Sequence, residues 1–183
     1  MRSCAGLLLC LAGAACGSNA PAGEAQPGRL PPGVTPVHYE ISVEPDARAL
    51  TFAGRAVIEI DVQKATDTIT LNALDLDIGA AQLDRGGKAS VTLDPSAQTA
   101  TLRFERTFHP GRRRLTLDYR GRIETTPAGL FAVDYDTPAG PRRMLATQFE
   151  AADARRFAPM WDEPGAKATF TLEALIPQGE PAW

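Results

Sequence analysis

His38-Tyr39-Glu40-Ile41-Ser42-Val43-Glu44 alternates polar and apolar side chains without a break before the chain reaches Pro45-Asp46. Successive residues of an extended strand point to opposite faces, so Tyr39, Ile41 and Val43 share one face and the polar residues the other. A helix would place its apolar residues three and four apart, so this stretch is a strand with one buried side. The same period returns downstream. Phe52, Gly54, Ala56, Ile58, Ile60 and Val62 hold alternate positions, and Ala53 and Val57 between them suit a strand with neighbours on both sides. Thr68–Asn72 follows, then Leu74, Leu76 and Ile78 alternating with aspartates. Ala89–Leu93 and Ala100–Phe104 flank the turn residues Asp94-Pro95-Ser96, and Leu115–Tyr119, Gly129–Val133 and Met144–Glu150 extend the series. One more strand-like run follows Pro164.

Short strands at a spacing of roughly 8–12 residues, punctuated by Gly, Pro and Asp, predict an all-β antiparallel sandwich or barrel. No window of a dozen residues carries a clean helical period, so little helix is expected. The chain has 183 residues, 44% hydrophobic and 22% charged, which suits one globular domain. A net charge of -3 with no basic stripe gives no case for a nucleic-acid partner, and none is expected. The one basic cluster, Arg112-Arg113-Arg114, follows His109-Pro110-Gly111 and reads as a solvated turn rather than a phosphate site.

The leader has its own logic. Arg2 gives a short positive start, and Ala5 to Ala15 is apolar and uncharged. Such a run is too short for a membrane helix, which needs about 20 residues, and fits the apolar region of a secretory signal. Gly13-Ala14-Ala15 runs into Cys16, which resembles the bacterial lipobox, whose cysteine takes a lipid. The alternative is an ordinary signal cleaved near Ala15 or Ala22. Residues 1–16 are thus expected to be a lipoprotein-type signal peptide, with Cys16 as the lipidation site. That implies an exported protein of the bacterial cell envelope, anchored to the membrane through lipid. Residues 17–33, rich in Gly, Ala and Pro with only Leu30 as a large apolar residue, read as a flexible linker. The β domain is placed at 34–183. Cys4, Cys10 and Cys16 all lie in the leader, so the domain has neither a disulfide nor a thiol nucleophile.

The densest chemistry lies in Thr147-Gln148-Phe149-Glu150, Asp153-Ala154-Arg155-Arg156 and Asp162-Glu163-Pro164. On a strand running Met144 to Glu150, Gln148 and Glu150 share a face opposite Leu145, Thr147 and Phe149. A carboxylate beside an amide suits a cationic amine, whereas the plainer reading is a solvated strand face. Arg155 and Arg156 are expected to pair with Asp162 and Glu163 and fix the loop, with Phe157, Met160 and Trp161 packed beneath. His38 and His109, the only histidines, have no partner at metal-ligand spacing. H-E-x-x-H, G-x-S-x-G and glycine-rich phosphate loops are all missing, so no catalytic residue and no metal ligand is assigned in this chain.

These residues, with Gly165-Ala166-Lys167-Ala168-Thr169-Phe170, resemble the aminopeptidase N family of zinc metallopeptidases. That family's N-terminal β domain ends in a T-Q-x-E…D-A-R-R…D-E-P…K-A-x-F signature. Pro36–Ile41, Phe52–Ala56 and Gly129–Phe131 resemble its earlier segments. The resemblance implies a saddle-like β-sandwich. It also implies a substrate-binding role, with Glu150 contacting the free amine of the peptide substrate's N-terminus and Gln148 lining the pocket for its first side chain. Zinc is implied as the cofactor of a catalytic domain that supplies G-x-M-E-N and H-E-x-x-H, neither of which occurs here. The chain stops at Trp183, where the family continues into another strand. An N-terminal domain parted from its catalytic partner, inactive by itself, is therefore expected. A stand-alone lipoprotein β module that binds a peptide or protein partner without catalysis is the alternative.

Overall fold

The computed structural model describes residues 29–178. The leader through Cys16 and most of the 17–33 linker fall outside these residues. Ten strands follow one another: β1 (Val34–Asp46), β2 (Thr51–Val62), β3 (Thr66–Asn72), β4 (Asp77–Leu83), β5 (Gly87–Asp94), β6 (Thr99–Phe108), β7 (Gly111–Arg122), β8 (Gly129–Thr137), β9 (Gly140–Gln148) and β10 (Thr169–Ala174). Among the described residues, helix is confined to one 3-10 turn, Ala154–Arg156. The domain is all-β.

Eight strands form one curled sheet in the order β10-β1-β2-β7-β4-β5-β6-β3, and β8 and β9 form a separate hairpin. The alternation read from the sequence sets which face is buried. Tyr39, Ile41 and Val43 of β1 point inward with Phe52, Ala56, Ile58, Ile60 and Val62 of β2. Leu115, Leu117 and Tyr119 of β7, and Leu102 and Phe104 of β6, complete the same core. The β1–β2 register shifts between Pro36 and His38, a bulge placed where proline has no N–H to give to the ladder.

Two cross-strand pairs join β2 to β7 with unusual closeness. Phe52 lies opposite Gly121, and Tyr119 lies opposite Gly54. A side chain at either glycine would collide with the facing ring. The tip of each ring sits over its partner's bare backbone, covering surface the glycine cannot cover itself.

Three expectations are corrected. The sheet is not wholly antiparallel, because β10 runs parallel to β1, from His38↔Thr169 to Val43↔Ala174. The long irregular connection after β9 brings the chain back beside β1 in the same direction, which a hairpin could not do. Arg112, Arg113 and Arg114 belong to β7 rather than to a turn. Arg112 faces Asp61 across the ladder at 3.8 Å and Arg114 meets Glu40 at 2.9 Å. Finally, β9 ends at Gln148, not at Glu150.

Tyr39 and Tyr119 are both buried, with contrasting hydroxyls. The Tyr39 oxygen accepts from the Trp161 N–H at 3.1 Å, whereas the Tyr119 hydroxyl has no partner among the described residues. Tyr39→Phe strands a buried N–H and is expected to cost about 1–3 kcal/mol, while Tyr119→Phe is neutral or stabilising. Chemical denaturation of the two variants checks this. Burial raises both phenols above their ordinary value of 10.0. A raised native value means that the native state holds its protons longer, so stability is intact below pH 10 or so and falls as pH rises beyond it. In a Tyr135→Phe background, phenolate absorbance should emerge together with loss of the fold.

Candidate functional site

The β8–β9 hairpin sets the geometry of the residues singled out above. Residues paired directly across an antiparallel ladder share a face. Leu130, Ala132 and Leu145 lie on the inner face, Leu130 buried and the other two packed against the core. Asp134 and Arg143 are partners on that face too, joined by bonds of 2.6 and 2.7 Å, and Arg143 also donates to the Ala47 carbonyl at 2.8 Å. The hairpin is therefore tied to the β1–β2 turn. Gly129, Phe131, Val133 and Tyr135 pair with Gln148, Ala146, Met144 and Arg142, which places Gln148 at the end of the outer face.

Beyond Gln148 the strand stops and a turn begins. Phe149 keeps the alternation, its ring 5.4 Å from that of Phe157, which in turn lies 6.0 Å from Phe52. The Glu150 N–H then donates to Gln148 Oε1 at 3.2 Å, and the Asp153 N–H donates to the Phe149 carbonyl at 3.0 Å. Gln148 and Glu150 are therefore brought together by a turn and a side-chain hydrogen bond, not by the pleat of a shared strand. Both are exposed. The Glu150 carboxylate has no ion-pair partner among the described residues, and Gln148 keeps its amide protons and one carbonyl lone pair free.

Below the turn, residues 153–163 dock onto the loops that end β3 and precede β6. Asn72, 3% exposed, exchanges two backbone bonds with Met160 at 2.8 and 3.0 Å, and its side chain accepts from the Asp162 N–H at 3.1 Å. Arg155 donates to the Asp162 carboxylate at 2.9 Å, to the Asp162 carbonyl at 3.2 Å and to Gln98 at 3.0 Å. With side chains 13% and 18% exposed, the Arg155–Asp162 pair is largely withdrawn from water. Removing one member of such a pair costs about 3–5 kcal/mol when burial is complete. Arg156 bonds Asp153 at 2.9 Å and also Asp75. Burial works against its charge, but the two carboxylates outweigh that and raise its pKa. Phe157, Met160 and Trp161 are buried beneath the loop.

The pairing expected for this loop holds for Asp162 and not for Glu163. Glu163 instead accepts from the Leu30 N–H at 2.6 Å, pinning the residues that lead into β1. Asn72, Asp75 and Gln98 escaped the sequence reading, since they lie tens of residues from the segment they hold. Asp75 and Gln98 sit at positive φ (56° and 55°), on tight loop tips. Asn72, a polar residue ending a β-run, was the one available signal.

Among the described residues, no three His, Cys, Asp or Glu side chains are grouped so as to hold a metal ion. His38 bonds Thr169 at 2.7 Å across the β1–β10 pair, and His109 sits exposed before β7. These residues do not fit a zinc centre, and no chemical step through a metal is assigned to them.

A family model described as the Peptidase M1 N-terminal domain matches residues 35–180. Aminopeptidase N of Acetobacter pasteurianus is 45% identical over 152 residues, covering 82% of this chain and 43% of that protein. Aminopeptidase 2 of Candida albicans is 32% identical over 147 residues, covering 80% of this chain and 16% of that protein. Aminopeptidase M1 of Arabidopsis thaliana is 33% identical over 157 residues, covering 81% and 18% respectively. The chain thus spans less than half the length of each of these relatives. By fold, by signature and by these matches, it belongs to the aminopeptidase N family through its Peptidase M1 N-terminal domain.

Proposed function

We propose that this domain recognises the free amino terminus of a peptide for an exported, zinc-dependent aminopeptidase. The observation that carries the reading is the exposed Glu150 carboxylate, without an ion-pair partner among the described residues, on the residue whose N–H bonds Gln148 in the turn that ends β9. A terminal ammonium is a compact donor of three hydrogen bonds. A carboxylate with an amide oxygen beside it matches that donor in charge and number. An exopeptidase needs such a contact, because anchoring the charged terminus fixes which bond lies at the reacting centre. The zinc and the attacking water would be carried elsewhere in the protein. Gln148, on the outer face of the hairpin, would border the pocket for the first side chain. Export to the bacterial envelope, with Cys16 as the lipid anchor, belongs to the same proposal and is supported by the leader sequence alone.

A second reading, a β module that binds a peptide or protein without catalysis, is favoured by β10. All six of its residues are exposed, and Phe170 and Leu172 leave 58% and 61% of their surface open. Its outer edge pairs with no strand among the described residues and could accept an added strand.

Titrating the 183-residue chain with alanine amide and with N-acetylalanine amide, read by backbone amide shifts, separates the two. The amine reading requires Gln148 and Glu150 to respond to the free amine only. Glu150→Ala should weaken that response by about tenfold or more, the scale of a lost charge-assisted contact. Equal responses to the two probes would end the amine reading, and shifts confined to β10 on adding a partner peptide would favour the second.

A further inference from the structure

Gln148 and Glu150 lie at the mouth of a turn, and a turn at the end of a two-stranded hairpin has little of its own to hold it still. One side chain touches both flanks of it. Arg156 Nε donates to the Asp153 carboxylate at 2.9 Å, three residues beyond Glu150. The Asp153 N–H closes the same turn onto the Phe149 carbonyl at 3.0 Å. On the other flank, the base of the Arg156 side chain sits against Gly129, the ladder partner of Gln148. A Cβ at Gly129 would stand 2.9 Å from the Arg156 Cβ and 3.5 Å from the Asp153 carbonyl oxygen, and Gly129 has φ +61°. Only glycine leaves that room at that backbone angle. The far end of the guanidinium bonds Asp75, between β3 and β4 in the main sheet.

From this geometry we infer that Arg156 is a positioning residue for the amine site, fastening the Glu150 turn and the Gln148 ladder position to the body of the domain. The inference rests on the reading of Gln148 and Glu150 as the amine-binding pair. Arg156 is not the group that meets the amine: it carries the same positive charge, and its Nε and Nη1 bond Asp153 and Asp75. The side chains involved are only partly withdrawn from water, at 27% exposed for Arg156 and Asp153 and 52% for Asp75. Exposed ion pairs add little to global stability, so the work of this one is local. A planar fork joining two separate carboxylates is a geometry that lysine cannot copy.

Arg156→Lys and Asp75→Asn in the 183-residue chain provide the test. Asparagine keeps the shape at Asp75 and tolerates its φ of 56°, so this variant folds while loosening the tie to the sheet. In both, exchange of the Asp153 amide hydrogen should quicken by about tenfold or more relative to β2 and β7 amides, which stay unchanged. Affinity for alanine amide should fall at least about fivefold, with midpoint denaturation little altered. Unchanged Asp153 exchange in both variants, or equal quickening throughout the sheet, overturns the positioning role. If the unaltered chain ignores alanine amide, the amine reading is lost, and the exchange measurement alone still decides whether Arg156 braces the turn.

Discussion

The structure depends on how an irregular segment satisfies its backbone against a finished sheet. Residues 149–168 carry almost no regular structure, yet part of this stretch lies over the core, and buried peptide groups without partners are costly. Asn72 resolves this at the point of closest approach. Its N–H and carbonyl both bond Met160, and its side chain takes the Asp162 N–H. Tyr39 takes the next N–H, that of Trp161. With those groups satisfied, Phe157, Ala158, Met160 and Trp161 can be buried, and the loop becomes part of the core rather than a flap over it. The Glu150 turn inherits its position from that anchorage.

Charge is distributed to the same end. Arg55 faces Asp118, Arg112 faces Asp61 and Arg143 faces Asp134 as direct ladder partners. Arg155 and Arg156 absorb Asp162, Asp153 and Asp75. The side-chain bond from Arg55 holds the Asp118 carboxyl below its ordinary range, and the one from Arg143 does the same for Asp134. Glu150 is exposed and has no ion-pair partner among the described residues. The proposed amine contact rests on this exposed acid beside a braced turn, not on its lack of an arginine alone, since Glu44, Glu59 and Asp77 also have no ion-pair partner among the described residues.

Much of this was legible in the sequence, and the limits have physical causes. The inward positions of β1, β2 and β7 followed from period-two alternation, because a pleated strand half in water must alternate. The parallel return of β10 could not be read, since alternation carries no information about a strand's direction. Arg112–Arg114 was misplaced because three arginines after Pro-Gly look solvated, whereas a sheet's water-facing side can hold them against Asp61 and Glu40. Spacing left Gln148 and Glu150 as either an amine-binding pair or a solvated strand face, and only the family resemblance singled out the first. Their relation could not be read, because two-residue spacing has the same appearance in a strand and at a strand's end. Asp75 and Gln98 lay beyond reach altogether, being joined to their arginines only by the closure of the fold.

The interlocked rings of β2 and β7 bear on how the sheet is assembled. Phe52 fits over Gly121 and Tyr119 over Gly54 only when the two strands are aligned as they are. A slide of two residues would keep every apolar group on its proper side, so the core alone would hardly object. It would, however, set Phe52 against Tyr119 or leave the two glycines facing each other across a void. The rings thus act as a key cut for a single notch, favouring one alignment of β2 on β7 over those two places out of step.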